Sequence, residues 1–175
     1  IETIIPGCFE LVPKVFEDSR GKLVKTFHKD TFKDLGLETD FAEEYYSTSG
    51  KNVLRGLHFQ EPPFDHVKCV TCLSGKIFDV VVDLRKKSAT YKKHFSIVLD
   101  AEIGNMLYIP RGMAHGFYVL GENAIFLNRT TTIYNGGSEG GVKWDSCEID
   151  WPNMNPIVSE KDKNLIELNN YNSPF

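Results

Sequence analysis

Between residues 53 and 132 the chain repeats one kind of unit, a short run of β-branched and aromatic residues followed by a turn. Such runs lie at 53–57, 67–73, 76–84, 94–99, 105–109, 116–120 and 124–132. The turns are marked by Ser74-Gly75, Asp100-Ala101, Pro110-Arg111-Gly112, Gly121-Glu122-Asn123 and Asn135-Gly136-Gly137. Short strands at this spacing predict an all-β barrel or sandwich. Helical signals sit only on the flanks. Asp30 to Leu35 is closed by Gly36, and Ser159 to Leu168 opens with Ser159-x-x-Asp162, the form of a capping box. The expected map is an N-terminal arm, a barrel over about residues 50–148 and a helical tail over about 153–175, all in one domain of 175 residues.

Alternation along one predicted strand bears on where a ligand could sit. Phe78, Val80, Val82 and Leu84 form an apolar set, whereas Ile77, Asp79, Val81, Asp83 and Arg85 mix charges with aliphatics. The mixed face is either the inside of a polar cavity, as small barrels allow, or the solvent side of an edge strand.

Charge narrows the partners. Lys plus Arg number 20 against 24 Asp plus Glu, a net −4. That balance gives no broad basic field for nucleic acid or an anionic membrane. The longest aliphatic runs, such as Val80-Val81-Val82, are far short of the ~18 residues of a spanning helix. No charged-then-apolar leader is visible, and a cytoplasmic protein is expected. Cys69 and Cys72 form a CxxC, but on a strand an i, i+3 pair points to opposite faces. With Cys8 and Cys147 they read as buried free thiols.

The segment Gly104-x5-Pro110-x-Gly112-x2-His115 has the spacing of the second cupin motif, in which a strand leaves a Pro/Gly turn and projects a histidine into the barrel. The matching earlier segment is Leu57-His58-Phe59-Gln60, with Gln60 where a metal-binding histidine would stand. Two histidines without a partner carboxylate at the right offset make a poor metal site, so no metal is expected.

Further residues carry a more specific likeness. Asp18-x-Arg20-Gly21, Arg55-Gly56-Leu57-His58-Phe59-Gln60, Lys68, Asp79-Val80-Val81-Val82-Asp83-Leu84-Arg85, Ser88-x-x-Tyr91, Ile109-Pro110-x-Gly112-x-Ala114-His115-Gly116-Phe117, Trp151-Pro152 and Ser159-x-Lys161-Asp162 run in order along nearly the whole chain. In this it resembles the dTDP-4-dehydrorhamnose 3,5-epimerase family of cupin-fold sugar-nucleotide epimerases. The resemblance implies a jelly-roll barrel, a nucleotide-diphospho-4-keto-sugar substrate, no cofactor, and a homodimer whose N-terminal arm extends the partner's sheet. It also implies proton abstraction beside the ketone and return from the opposite face. His58 is implied as base and Asp162 as its orienting carboxylate, although the residues alone read Asp162 as the acid of a capping box. Lys68 is implied to stabilise the enolate, with Asp83 expected as its partner. Arg20 and Arg55 are implied as diphosphate contacts, joined by Lys161. His115 is expected as a substrate-contacting or satisfied core histidine, and His28, His66 and His94 as surface residues.

The chain departs from the family pattern at the site. Asn128 stands where the family has a proton-donating tyrosine, and an amide cannot replace a phenol in that role. Tyr134 could take over only if register or a bulge re-aims it. Lys25, Glu43 and Tyr45 replace a usual Glu, Gln and Asn where the family contacts its sugar nucleotide. These departures lead to the expectation of a carbon-3 epimerase, resembling the branch that acts on GDP-linked 4-keto-heptoses for capsule polysaccharide. The alternatives are a full 3,5-epimerase of the dTDP-4-keto-6-deoxyglucose type, a 3,4-ketoisomerase, or a non-catalytic sugar-nucleotide binding module.

Overall fold

The computed structural model describes residues 1–175. It builds two five-stranded antiparallel sheets facing each other. The first runs in the order β1 (Phe9–Leu11), β9 (Met106–Ile109), β6 (Lys68–Ser74), β11 (Asn123–Thr130) and β4 (Glu43–Gly50). The second runs β12 (Glu139–Gly141), β5 (Leu54–Gln60), β10 (Met113–Val119), β7 (Lys76–Asp83) and β8 (His94–Asp100). A separate ribbon pairs β2 (Val15–Asp18) with β3 (Gly21–Val24). Together they form the all-β, cupin-type jelly roll expected.

The alternation in β7 shows how the layers are built. Ile77 and Val81 enter the core between the sheets with Val70, Leu107, Phe117 and Phe126. Val80, Val82 and Leu84 face the other way, onto Trp144, Trp151 and Leu168 of the C-terminal segment. Each such fully buried aliphatic contributes about 1.5–3 kcal/mol. The mixed face is therefore the inner one, and Asp79 on it is 0% exposed. Outside the first sheet, the short helix α1 (Lys29–Asp34) sets Phe32 against Val67, Cys69, Met106 and Tyr108. Cys69 thus faces outward from its sheet while Cys72 lies in the inner core, and all four cysteines are buried and free.

Two expectations about the elements are corrected. The barrel starts at Glu43, before residue 50, because β4 pairs with β11 along its full length. The tail helix α2 is only Glu160–Lys163; beyond Asn164 the chain bridges Val142 to Ile166 and the Lys143 N–H donates to the Ile166 carbonyl at 2.8 Å. Within the chain, the N-terminal arm pairs through β1 with β9. No helix is long and apolar enough to cross a membrane.

Candidate active site

His58 on β5 and His115 on β10 are register partners across adjacent strands. Glycines allow the close strand approach. A Cβ on Gly56, whose φ is +119°, would lie 2.7 Å from the Gly116 Cα. This backbone aims the Gly56 N–H at Asp162 Oδ2, 3.1 Å away.

Asp162 serves two expectations at once. Its backbone N–H donates to Ser159 Oγ at 3.1 Å, so Ser159 does cap α2. Its carboxylate receives His58 Nε2–H at 2.7 Å. Burial alone would raise this carboxyl; the bonds from His58, Gly56 and Ser159 outweigh it and hold the group below its ordinary range. The carboxylate fixes the tautomer with the proton on Nε2. Nδ1 is then the basic atom of an imidazole that keeps 30% of its surface open.

His115 has a carboxylate too, one the sequence did not flag. Its Nε2–H donates to Asp79 Oδ2 at 2.9 Å, with both side chains sealed from solvent. Burial raises the Asp79 carboxyl and lowers His115, each against the pull of the other. Lys68, from β6 of the facing sheet, donates from Nζ to the His58 carbonyl at 3.1 Å. Burial pushes it down to about 8, against the attraction of Asp79 and Glu139.

His58, Asp162 and Lys68 line a cavity of about 590 Å³ between the two sheets, within the usual range for small-ligand sites. The same cavity receives Arg55, Gln60, His115, Lys161, Glu43, Tyr45, Asn128 and Tyr134. Arg55 rests one edge on Ser49 Oγ, 2.9 Å from Nε, and on the Thr48 carbonyl. No protein bond occupies its Nη1. Gln60 spends its amide on the turns, donating to the Phe64 carbonyl at 2.9 Å and accepting from Asn135 N–H, so it shapes the wall. Tyr134 donates to Glu139 at 2.9 Å, and Glu139 also pairs with Lys161. Glu43 accepts from the Tyr134 N–H. Across the β4–β11 ladder, Asn128 Nδ2 donates to Tyr45 Oη at 2.6 Å.

Other expected residues lie elsewhere. Asp83 does not partner Lys68: it is held at the end of β7 by Arg85 at 2.9 Å and Thr90 at 2.7 Å. Arg20 sits on the β2–β3 ribbon, 87% exposed and paired with Asp18. Lys25 lines a different, mostly apolar groove beside the N-terminal arm. His66, expected at the surface, lines the cavity, bonded through Nδ1 to Thr132 Oγ1 at 3.0 Å. Burial and nearby cations lower it to about 3. The additional site residues Asp79 and Glu139 differ in legibility. Asp79 lay on the mixed face of β7, whereas no local pattern marks Glu139. No three His, Cys, Asp or Glu side chains converge as a metal site requires.

The model of the dTDP-4-dehydrorhamnose 3,5-epimerase family matches residues 2–170. The chain belongs to the dTDP-4-dehydrorhamnose 3,5-epimerase family. As a member it is an isomerase of the epimerase kind. The family's enzyme from Salmonella typhimurium is 43% identical over 166 residues, spanning 93% of this chain and 91% of its own. The solved epimerase of Legionella pneumophila, in complex with dTDP-4-keto-L-rhamnose, superposes with a TM-score of 0.94 at 35% identity, covering 98% of this chain and 93% of that one. A 3'-monoepimerase from Streptomyces bikiniensis, in complex with dTDP-quinovose, gives 0.90 at 27% identity over 95% and 86%. Membership in this family supports the thymidine-linked 3,5-epimerase, first set down as an alternative, over the GDP-linked heptose 3-epimerase.

Proposed function

We propose that the protein epimerises a dTDP-4-keto-6-deoxyhexose at carbons 3 and 5. The His58–Asp162 pair, open on one side to the cavity, carries this reading. A 4-keto group acidifies the hydrogens on both neighbouring carbons. His58 Nδ1 takes one of them, and the electron pair moves into the carbonyl as an enolate. Asp162 stabilises the imidazolium so formed, and the Lys68 ammonium stabilises the enolate oxygen. A proton then returns to carbon from the other face. The free edge of Arg55 suits a diphosphate oxygen, and Lys161 adds a second cation at the rim. Such chemistry requires neither redox cofactor nor metal.

The residues also support a homodimer. Arg20 stands far out on its ribbon with Phe16 and Leu23 exposed beside it, a placement suited to reaching a partner's cavity. A monomeric mass at micromolar concentration would contradict this. The four free thiols fit a reducing compartment such as the cytoplasm.

Conversion of dTDP-4-keto-6-deoxyglucose in deuterium oxide tests the reaction. Proton NMR is expected to show deuterium at both carbons 3 and 5 of an inverted product. Deuterium at carbon 3 alone would restore the one-carbon reading, and a displaced carbonyl would show a ketoisomerase.

A further inference from the structure

Proton return from the far face needs an acid opposite His58, and the strand position where the family pattern has a tyrosine holds Asn128. The structure pairs that asparagine with Tyr45, its register partner on β4. The family pattern has asparagine where Tyr45 stands. The two residue types have thus changed places across one cross-strand pair, and a phenol still faces the cavity. We infer that Tyr45, held by Asn128, is the second proton-transfer group, the acid that protonates the enolate on the face away from His58. This rests on the epimerase reading above.

Position supports the assignment. His58 projects from one sheet, and Tyr45 and Asn128 project from the other, on opposite walls of one cavity. Asn128 is 2% exposed, and its Oδ1 has no partner. Tyr45 as a residue is 46% exposed, while its hydroxyl reaches that buried amide.

Hydrogen-bond direction matters as much. Asn128 Nδ2–H donates to Tyr45 Oη, leaving the phenolic proton free to be given away. The same bond stabilises the phenolate that remains. Tyr134, the other phenol in the cavity, has its proton committed to the Glu139 carboxylate. His66 and His115 are held neutral by burial and cannot serve as strong acids near pH 7. Burial of the hydroxyl and the carboxylates of Glu43 and Glu139 outweigh the Asn128 bond and keep Tyr45 protonated.

The step balances. His58 Nδ1 takes the ring proton and becomes imidazolium; the Tyr45 O–H bond breaks as the new C–H bond forms. The phenolate recovers a proton from water at the open mouth, and the imidazolium returns its own to solvent.

The test runs the parent, Tyr45→Phe, Tyr134→Phe and the exchanged pair Tyr45→Asn with Asn128→Tyr in deuterium oxide. NMR follows deuterium entering recovered dTDP-4-keto-6-deoxyglucose separately from inverted product. Tyr45→Phe is expected to cut inverted product about 100-fold and to leave exchange into recovered substrate within about threefold, because His58 still removes and returns the proton on its own face. Tyr134→Phe is expected to keep at least about tenfold more inverted product than Tyr45→Phe, and the exchanged pair to regain at least about a tenth of parent turnover. Tyr45→Phe turning over like the parent would overturn the assignment. So would the large loss appearing in Tyr134→Phe, or equal loss of exchange and product in Tyr45→Phe, which marks a structural role. If the parent were inert on this sugar and active on a GDP-linked 4-keto sugar, the substrate reading alone would fall. Tyr45 is then judged by the variant-to-parent ratio on that sugar.

Discussion

The molecule holds two histidine–aspartate pairs on neighbouring strands, and they are not equivalent. His58 and His115 face each other in register on β5 and β10. Both donate Nε2–H to a carboxylate, at 2.7 Å and 2.9 Å. The Asp162 carboxylate comes from the C-terminal segment, is fed by a backbone N–H, and stays ionised. The Asp79 carboxylate comes from the barrel wall at 0% exposure, where burial favours its neutral form. His58 meets the cavity with a free basic nitrogen on a ring that is 30% exposed; His115 borders the same cavity but is buried, and its Asp79 lies behind it away from the lining. The same two residue types become a pair open to the cavity, the proposed reacting pair, or a packed polar pair according to desolvation and which segment supplies the acid.

That contrast is breakable. Asp162→Asn is expected to lower kcat by roughly 10²–10⁴-fold. The backbone cap from Ser159 survives this change, so thermal unfolding should move little. Asp79→Asn should do the reverse, costing about 1–3 kcal/mol of stability by denaturant unfolding while kcat falls only a few-fold. Equal kinetic losses at the two aspartates would remove the distinction.

Lys68 sharpens the contrast through pH. Burial pushes its ammonium down to about 8, so in the proposed reaction enolate stabilisation would be present below that pH and lost above it. A kcat/KM profile should fall on the alkaline side near pH 8, by up to about tenfold per unit. Lys68→Arg should remove that limb, because a guanidinium stays charged. A limb unmoved in Lys68→Arg would assign the titration to another group. The smallest effect is expected from Ser159→Ala. It removes the cap that positions Asp162, at a cost of about 1 kcal/mol in unfolding free energy.

How much of this was legible depends on burial. The seven runs read as strands all became β5 to β11, because sheet strands packed on two sides carry dense apolar patterns. β4 escaped notice because Glu-Glu-Tyr-Tyr-Ser-Thr-Ser-Gly is an edge strand with no apolar alternation. At the site, His58 and Asp162 were reachable through their motifs. Assigning Asp83 to Lys68 failed because Asp79 and Asp83 share a face of β7, and alternation does not say that Arg85 and Thr90 hold the second. Asn128 read as a loss on its own strand. Its pairing with Tyr45 comes from cross-strand register, which local pattern does not carry.

In the proposed reaction His58, with Asp162 behind it, moves the ring proton and His115 does not. Deuterium entry into recovered dTDP-4-keto-6-deoxyglucose, measured by NMR for folded His58→Asn and His115→Asn with dTDP binding checked in parallel, tests it directly. His58→Asn is expected to bind dTDP and lose exchange at both carbons, while His115→Asn keeps it. Exchange persisting in His58→Asn and lost in His115→Asn would contradict that assignment.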